Sequence, residues 1–269
     1  MQLRPGDVAT PLFLLPGVGC DLNELQNLVR NIRPGRPLFG LRIDFPSPAS
    51  PVAATVDEMA MQAVAEIMAI QPTGPHHLAG YSFGGLVAFA VSQLLCQAGC
   101  EVGLLALIGT PIAQRYWPWS LFLTSLAMRT RRQLGVIAEL PIRAASHIFV
   151  AKGVKFARLM FQKLSPNSMV VPAAPFGVPP QLDRGKIAME KYRPGFYPGT
   201  ITLLQAADEQ RHFCDFERLW RSHARTLESH TIPADHVELI NEPNSSRQVA
   251  ECLDNCLDAI EGRRDLRSA

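Results

Sequence analysis

The chain has 269 residues, 47% of them hydrophobic and 19% charged, with a formal net charge of +2. This length and composition predict a globular protein with a large core and exclude a disordered chain. The small net charge argues against nucleic-acid binding, and no apolar run approaches the roughly 20 residues of a membrane span. The first seven residues also lack the apolar core of a signal peptide.

The six cysteines are too few for a disulfide framework in so long a chain. Cys96 and Cys100, like Cys252 and Cys256, are four residues apart, which places each pair on one face of a helix. Zinc binding is one interpretation of this spacing. We favour the other interpretation, in which these cysteines are small apolar side chains in a reduced, cytoplasmic protein and bind no metal.

The N-terminal half alternates between apolar strands and helices. Residues 11–15 read as a strand, and Asp21 with Glu24 reads as a capping box that opens a helix over 22–32. A second strand is predicted at 37–43, followed by a proline-rich loop. Thr55 or Asp57 then opens a helix that ends near residue 70.

The next segment, Gly80-Tyr81-Ser82-Phe83-Gly84, has the form G-x-S-x-G and lies between a short strand and an apolar helix. In this context the motif predicts a nucleophile elbow, a sharp turn that exposes the serine hydroxyl above a sheet. The glycines leave room for backbone that passes close by. The start of the following helix directs free N–H groups and its positive dipole end at the same point.

Another strand is predicted at 102–108, which completes the order β, α, β, α, β, α, β. This alternation predicts a parallel sheet with helices on both faces. The glycine-rich turn after the first strand, around Val18, has two interpretations. It is either only a tight turn or an oxyanion loop whose backbone N–H faces the elbow.

The alternation of strands and helices ends between residues 112 and 190. In this segment the sequence predicts no regular strand, and helices are predicted at 117–128 and 149–161. This insertion has eleven Lys or Arg and three acidic residues, a net charge of +8, so the rest of the chain carries −6. It is either a solvated helical lid or a docking surface for an acidic partner or a phosphate.

The α/β pattern resumes with a strand at 200–204, a partly helical stretch at 213–227 and a last amphipathic helix at 247–260, followed by a polar tail. A reactive serine needs a base and an acid that orients the base. His236 lies between the final strand and the final helix, where α/β-hydrolases place the base. For the acid we select Asp208, just after a strand, over Asp215 and Asp44.

These pieces resemble the thioesterase domains of non-ribosomal peptide and polyketide synthases, from about residue 11 to 257. The motifs that carry the resemblance are Leu15-Pro16-Gly17-Val18-Gly19, the block from Gln71 to Gly85, and Pro233-Ala234-Asp235-His236. The resemblance implies an α/β-hydrolase fold, a mostly parallel sheet with a helical lid insertion. It also implies that Ser82 is the nucleophile, that His236 is the base and that the Val18 and Phe83 N–H groups form the oxyanion hole.

Two positions depart from the family pattern. Many members carry the catalytic Asp where this chain has Gly109, whereas stand-alone editing members carry it at the position of Asp208. The second glycine of the first loop is Cys20 here. These departures bear on the acid and on the activity more than on the fold.

The patterns predict a single domain over residues 1–269 with no metal or organic cofactor. The resemblance implies that this domain releases or edits an acyl, peptidyl or polyketide chain on a phosphopantetheinyl carrier protein, by hydrolysis or cyclising acyl transfer through Ser82, Asp208 and His236. The chain begins without a carrier-like region, which favours a free-standing enzyme or an excised domain. Two alternatives stay open: a carboxylester hydrolase for small esters, and a non-catalytic binding protein, because Gly109 replaces the usual acid.

Overall fold

The fold is organised around a twisted, mostly parallel sheet. A computed structural model describes residues 1–7, 10–43, 55–138, 160, 163–164, 180–212 and 214–268. The strand order is β1-β3-β2-β4-β5-β6-β7; β1 runs antiparallel to β3, and every other pair is parallel. The strands are β1 Gln2–Arg4, β2 Leu12–Leu15, β3 Leu38–Gly40, β4 His76–Tyr81, β5 Val102–Ile108, β6 Tyr197–Ala206 and β7 Ala224–Ile232.

Helices connect and cover these strands. Short 3-10 turns precede α1, α4 and β7 at Leu22–Leu25, Gln114–Tyr116 and Arg221–His223. The helices are α1 Gln26–Asn31, α2 Val56–Ile70, α3 Phe83–Gln97, α4 Trp119–Ala138, α5 Pro180–Lys191, α6 Ala207–His212, α7 Phe216–Trp220, α8 Glu238–Asn241 and α9 Pro243–Ser268.

Both faces of the sheet are buried, as a parallel sheet requires. Successive residues of β2 alternate between the two sides. Phe13 and Leu15 join the core beneath α2 and α3, whereas Leu12 and Leu14 join the core beneath α1 and α9. All four side chains are almost fully buried, which explains why this strand reads as a continuous apolar run.

The predicted α/β-hydrolase architecture is therefore confirmed. Strand β5 has its predicted bounds, and α2 begins with a complete capping box between Thr55 and Glu58. None of the six cysteines is joined in a disulfide. Within the described part of the chain, no helix is long and apolar enough to cross a bilayer.

Several predicted boundaries are wrong. The polar residues of β7, Ala224–Ile232, form an edge strand in a stretch predicted in part to be helical. β1 escapes prediction because three residues carry too little pattern, and α9 continues through the predicted polar tail to Ser268. For β7, the parallel pairing with β6 outweighs the local polarity of the sequence.

The insertion contributes α4 and α5 to the described residues. Its predicted first helix, 117–128, overlaps α4, which begins two residues later at Trp119, while the predicted helix at 149–161 falls almost wholly outside the described residues. The two ends of the insertion are joined where Arg115 Nε lies 3.3 Å from Glu190 Oε2. Burial raises the pKa of the Glu190 carboxyl, while the charge of Arg115 opposes that rise.

Candidate active site

Ser82 occupies the sharp turn between β4 and α3. Its backbone has φ 52° and ψ −118°, a conformation that is strained for a residue with a side chain. A Cβ on Gly80 would lie 2.4 Å from the Gly84 oxygen, and one on Gly84 would lie 2.2 Å from the Pro16 oxygen. The two glycines therefore permit the close backbone approach that the motif predicts.

His236 is brought to this turn from the opposite part of the sequence. It lies in the connection between β7 and α8, and its Nε2 is 3.0 Å from Ser82 Oγ. The two side chains meet because their parallel strands end at the same edge of the sheet. The distance suits transfer of the serine proton to the imidazole.

The carboxylate that lies beside His236 belongs to Glu209 and not to Asp208, the residue that the sequence analysis predicts. Glu209 Oε1 lies 2.9 Å from His236 Nδ1, and the Glu209 side chain is only 16% exposed. The side chain of Asp208 is exposed, while its backbone N–H donates to the Ala234 oxygen at 3.3 Å. Asp208 and Glu209 are adjacent, and in a helix two adjacent side chains point in directions about 100° apart.

The physical reason is the length of β6. The strand continues to Ala206, two residues beyond its predicted end, and α6 starts at once, so Asp208 and Glu209 are helical rather than loop residues. Of the other predicted candidates, Asp215 caps α7 by accepting the Arg218 N–H at 3.3 Å. Asp44 lies outside the described residues.

The approach of Glu209 to the ring is close but not linear. The oxygen meets the distance of an ion pair, while the direction of the Nδ1–H bond does not point at it as a hydrogen bond would. Catalytic hydrogen bonds are often poorly aligned in the absence of substrate and tighten in the reacting complex. The pair can therefore orient the imidazole after a small rotation of either side chain.

Gly109, the position where the resemblance expects an acid, lies directly beside the imidazole of His236. It follows β5 directly with φ +54°, and a Cβ at this position would lie 3.0 Å from His236 Nδ1 and 3.1 Å from Cε1. An acid at this residue would thus start beneath the same ring nitrogen that Glu209 approaches from the end of β6. The glycine leaves the ring free to occupy its present position.

Tyr81 supports His236, a role that the sequence analysis does not predict. Its ring stacks on the imidazole with centroids 5.2 Å apart and planes at 27°, and its hydroxyl donates to the His236 carbonyl oxygen at 3.0 Å. Burial raises the pKa of Tyr81, so the phenol stays a neutral donor. Its place directly before the elbow serine is the only sequence signal for this role.

The glycine-rich loop after β2 lies against the elbow through the contact of Pro16 with Gly84. Cys20, the residue that replaces a family glycine, adopts φ 54°, the left-handed region in which glycine is the usual residue. Its N–H donates to the Gly17 oxygen at 2.9 Å and closes a tight turn around Val18. Phe83, the first residue of α3, completes the pair of residues predicted to supply oxyanion donors.

Glu24 does not form the capping box with Asp21 that the sequence predicts. Asp21 caps the 3-10 turn through the Asn23 N–H at 2.9 Å, as an N-cap should. The Glu24 carboxylate instead accepts the backbone N–H of Gly17, in the loop that precedes the turn. The sequence pattern is correct for a helix start, but the tertiary contact gives Glu24 another partner.

Comparison with protein families gives one match over most of the chain. The profile of the thioesterase domain covers residues 10–257. This range includes the elbow, the loop after β2, Glu209 and His236.

Curated relatives match over a shorter stretch. An atromentin synthetase of Paxillus involutus is 40% identical over 103 residues, which are 38% of this chain and 11% of the relative. An inactive atromentin synthetase of the same fungus is 36% identical over 133 residues, 48% of this chain and 13% of the relative. A malpinin synthetase of Mortierella alpina is 33% identical over 115 residues, 43% of this chain and 2% of the relative. The matched stretches are thus small parts of these relatives.

Solved structures with the same fold cover nearly the whole chain. A four-domain nonribosomal peptide synthetase bound to AMP and glycine matches with a TM-score of 0.63 and 25% identity, covering 95% of this chain and 20% of that one. The NocB thioesterase domain in covalent complex with a fluorophosphonate nocardicin G analogue matches with a TM-score of 0.61 and 20% identity, covering 93% and 95%. ClbQ from the colibactin pathway matches with a TM-score of 0.59 and 15% identity, covering 93% of this chain and 98% of that one.

Proposed function

Because this chain belongs to the thioesterase domain family, we propose that it cleaves acyl thioesters through a covalent serine intermediate, with Ser82, His236 and Glu209 as its triad. The observation that carries the proposal is the line of contacts from Ser82 Oγ to His236 Nε2 at 3.0 Å and from His236 Nδ1 to Glu209 Oε1 at 2.9 Å. A serine hydroxyl becomes a useful nucleophile only with such a base and an orienting acid.

In the first half-reaction, Ser82 Oγ bonds to the thioester carbonyl carbon while His236 Nε2 takes the hydroxyl proton. The carbonyl oxygen becomes an oxyanion, which the backbone N–H groups of Val18 and Phe83 stabilise at the start of α3. Glu209 holds the imidazole and balances the charge of the imidazolium. The C–S bond then breaks, and the departing thiolate takes the proton from His236.

In the second half-reaction, the acyl-serine is attacked by water or by a nucleophile within the acyl chain. His236 takes the proton of that nucleophile and returns a proton to Ser82 Oγ as the acyl–oxygen bond breaks. The product is a free acid in the first case and a cyclised ester or amide in the second. No metal or organic cofactor has a part in these steps.

We further propose that the thioester arrives on the phosphopantetheine arm of a carrier domain. Support comes from the relatives, which are named as synthetases and extend far beyond the matched segment, and from the four-domain synthetase of similar fold. The basic insertion, at +8, suits an acidic partner. Arg131 on α4 is one exposed member of this basic set.

The decisive experiment compares three substrates at low and high salt: an acyl-carrier protein, the same acyl group on coenzyme A, and a nitrophenyl ester. We expect the highest kcat/KM for the acyl-carrier, and a steep fall with salt for that substrate, since the Debye length shrinks from about 10 Å at 0.1 M to about 3 Å at 1 M. Ser82→Ala should abolish turnover and labelling by a fluorophosphonate.

Other outcomes would separate the alternatives. Preference for the nitrophenyl ester with no salt effect would indicate a carboxylester hydrolase without a carrier partner. Carrier binding without turnover or labelling would indicate a binding protein, a function that the relative named as inactive keeps open. The Ser82–His236 distance favours the catalytic alternative.

A further inference from the structure

The loop after β2 is fixed by a side chain that no sequence motif assigns to the reaction. Gly17 donates its backbone N–H to the carboxylate of Glu24, which lies in the 3-10 turn Leu22–Leu25. Gly17 directly precedes Val18 in the turn that the Cys20 N–H closes on the Gly17 oxygen. Glu24 thus holds the Pro16–Gly17 peptide, and Cys20 holds the next peptide, which carries the Val18 N–H, so both restrain the backbone that enters Val18.

The same contact extends to the histidine. A Cβ on Gly17 would lie 3.1 Å from Glu24 Oε1 and 3.2 Å from Tyr81 Cδ1, so the glycine is enclosed between the carboxylate and the tyrosine ring. Tyr81 in turn stacks on the His236 ring and donates to its carbonyl oxygen. One continuous set of contacts thus joins Glu24, the loop and the base.

The environment of Glu24 is unusual for a helix-capping glutamate. Burial raises the pKa of its carboxyl, the hydrogen bond from Gly17 opposes that rise, and the nearby carboxylate of Asp21 adds to it. Capping the 3-10 turn does not by itself require a side chain that is partly buried between the loop and Tyr81. Asp21 already supplies the cap of that turn.

We propose that Glu24 is a positioning residue for the reaction: its carboxylate fixes the Gly17 peptide, and thereby the orientation of the Val18 N–H toward the oxyanion. This inference rests on the proposed function. It predicts that the contact matters in the transition state, when negative charge develops on the substrate oxygen, and contributes little to substrate binding.

The test compares Glu24→Met, which keeps the length of the side chain but has no acceptor oxygen, with Glu24→Gln, which keeps the acceptor. We expect Glu24→Met to lower kcat by about 10- to 100-fold with KM within about twofold, a loss in the range measured for one oxyanion donor or below. The rate of fluorophosphonate labelling should fall in parallel, and Glu24→Gln should stay within about threefold of the wild type.

Asp21→Ala is the matched control, because it removes the cap of the same turn without touching Gly17. Wild-type kcat in Glu24→Met, or an equal loss in Asp21→Ala, would overturn the inference and leave Glu24 as a structural residue. If Glu24→Met does not fold, as judged by its melting curve, Glu24→Ala is measured by the same criteria. An inactive, unlabelled wild type would instead overturn the proposed function itself.

Discussion

A histidine lies at each end of the elbow strand β4, and the two rings have different environments. At the carboxyl end, His236 contacts Ser82 Oγ, Glu209 and Tyr81, and its side chain is 31% exposed. At the amino end, His76 begins the strand, is fully buried, and has no hydrogen-bond partner on either ring nitrogen among the described residues. Burial lowers the pKa of His76, which keeps it neutral.

His236 and His76 differ in the partners of their rings as well as in their burial, and the proposed mechanism requires a base with the partners that His236 has. His236 has a proton donor on one nitrogen, a carboxylate beside the other and a path to solvent. His76 lies on β4 beside β5, and within the described part of the chain its ring nitrogens have no hydrogen-bond partner. Three substitutions test this contrast, beginning with the one expected to have the largest effect.

Removing the carboxylate beside His236 should take away one of the partners that distinguish His236 from His76. We expect Glu209→Gln to lower kcat by about 10²- to 10⁴-fold, because the analogous loss of a triad acid leaves the imidazole in the wrong tautomer. Asp208→Asn, one residue earlier and exposed, is the matched control and should keep wild-type kcat. Steady-state turnover of an acyl thioester measures both, and the reverse ranking would restore Asp208 as the acid.

Crowding His236 should have a smaller effect. The Cβ of Gly109→Ala would lie 3.0 Å from His236 Nδ1, so the ring must shift by a few tenths of an ångström. We expect kcat/KM to fall about tenfold, since small misplacements of catalytic groups are costly. The positive φ should also reduce the free energy of unfolding by about 1–2 kcal/mol.

Activity assays and urea unfolding separate these two effects of Gly109→Ala. Gly99 offers the control, because it also has a positive φ of +77°, yet a Cβ added there would meet no atom of the described residues within 4 Å. Gly99→Ala should lose stability alone. Equal losses of activity in the two variants would mean that crowding of the ring has no consequence.

Replacing the buried histidine should leave catalysis unchanged. His76→Leu removes an imidazole whose pKa is lowered by burial, so the unfolded state binds its proton more readily than the folded state. The stability that wild type derives from this neutral group is present above the unfolded pKa of about 6.5 and is lost as the pH falls below it. Hence the variant should lose less stability than the wild type between pH 7 and pH 5.

Urea unfolding at several pH values measures this difference, with kcat at pH 8 as the activity check. His230→Gln, which removes a half-exposed imidazole from β7, controls for the loss of any histidine. Identical pH dependence in His76→Leu and wild type would mean that His76 has the same pKa in the folded and unfolded states. A collapse of kcat would place His76 in the machinery of the reaction.

The sequence by itself determined the elements with a strong local signal. Backbone passes so close to Gly80 and Gly84 that neither position has room for a Cβ. The five residues of the motif are therefore enough to predict the elbow. The continuous apolar runs of the central strands identify a sheet that is buried on both faces. The position of His236 after the last strand follows from the same parallel order, because the parallel strands end at one edge.

Tertiary structure alone decided which side chains meet at that edge. Whether Asp208 or Glu209 faces His236 depends on where β6 ends and α6 begins, and a change of one residue rotates a helical side chain by about 100°. Glu24 has the right type and spacing for a capping box, yet its carboxylate accepts the N–H of Gly17, seven residues earlier in the loop after β2, where β2 packs beside the elbow. Local patterns specify elements because their causes are local, whereas the partners of a polar side chain depend on the packing of segments far apart in sequence.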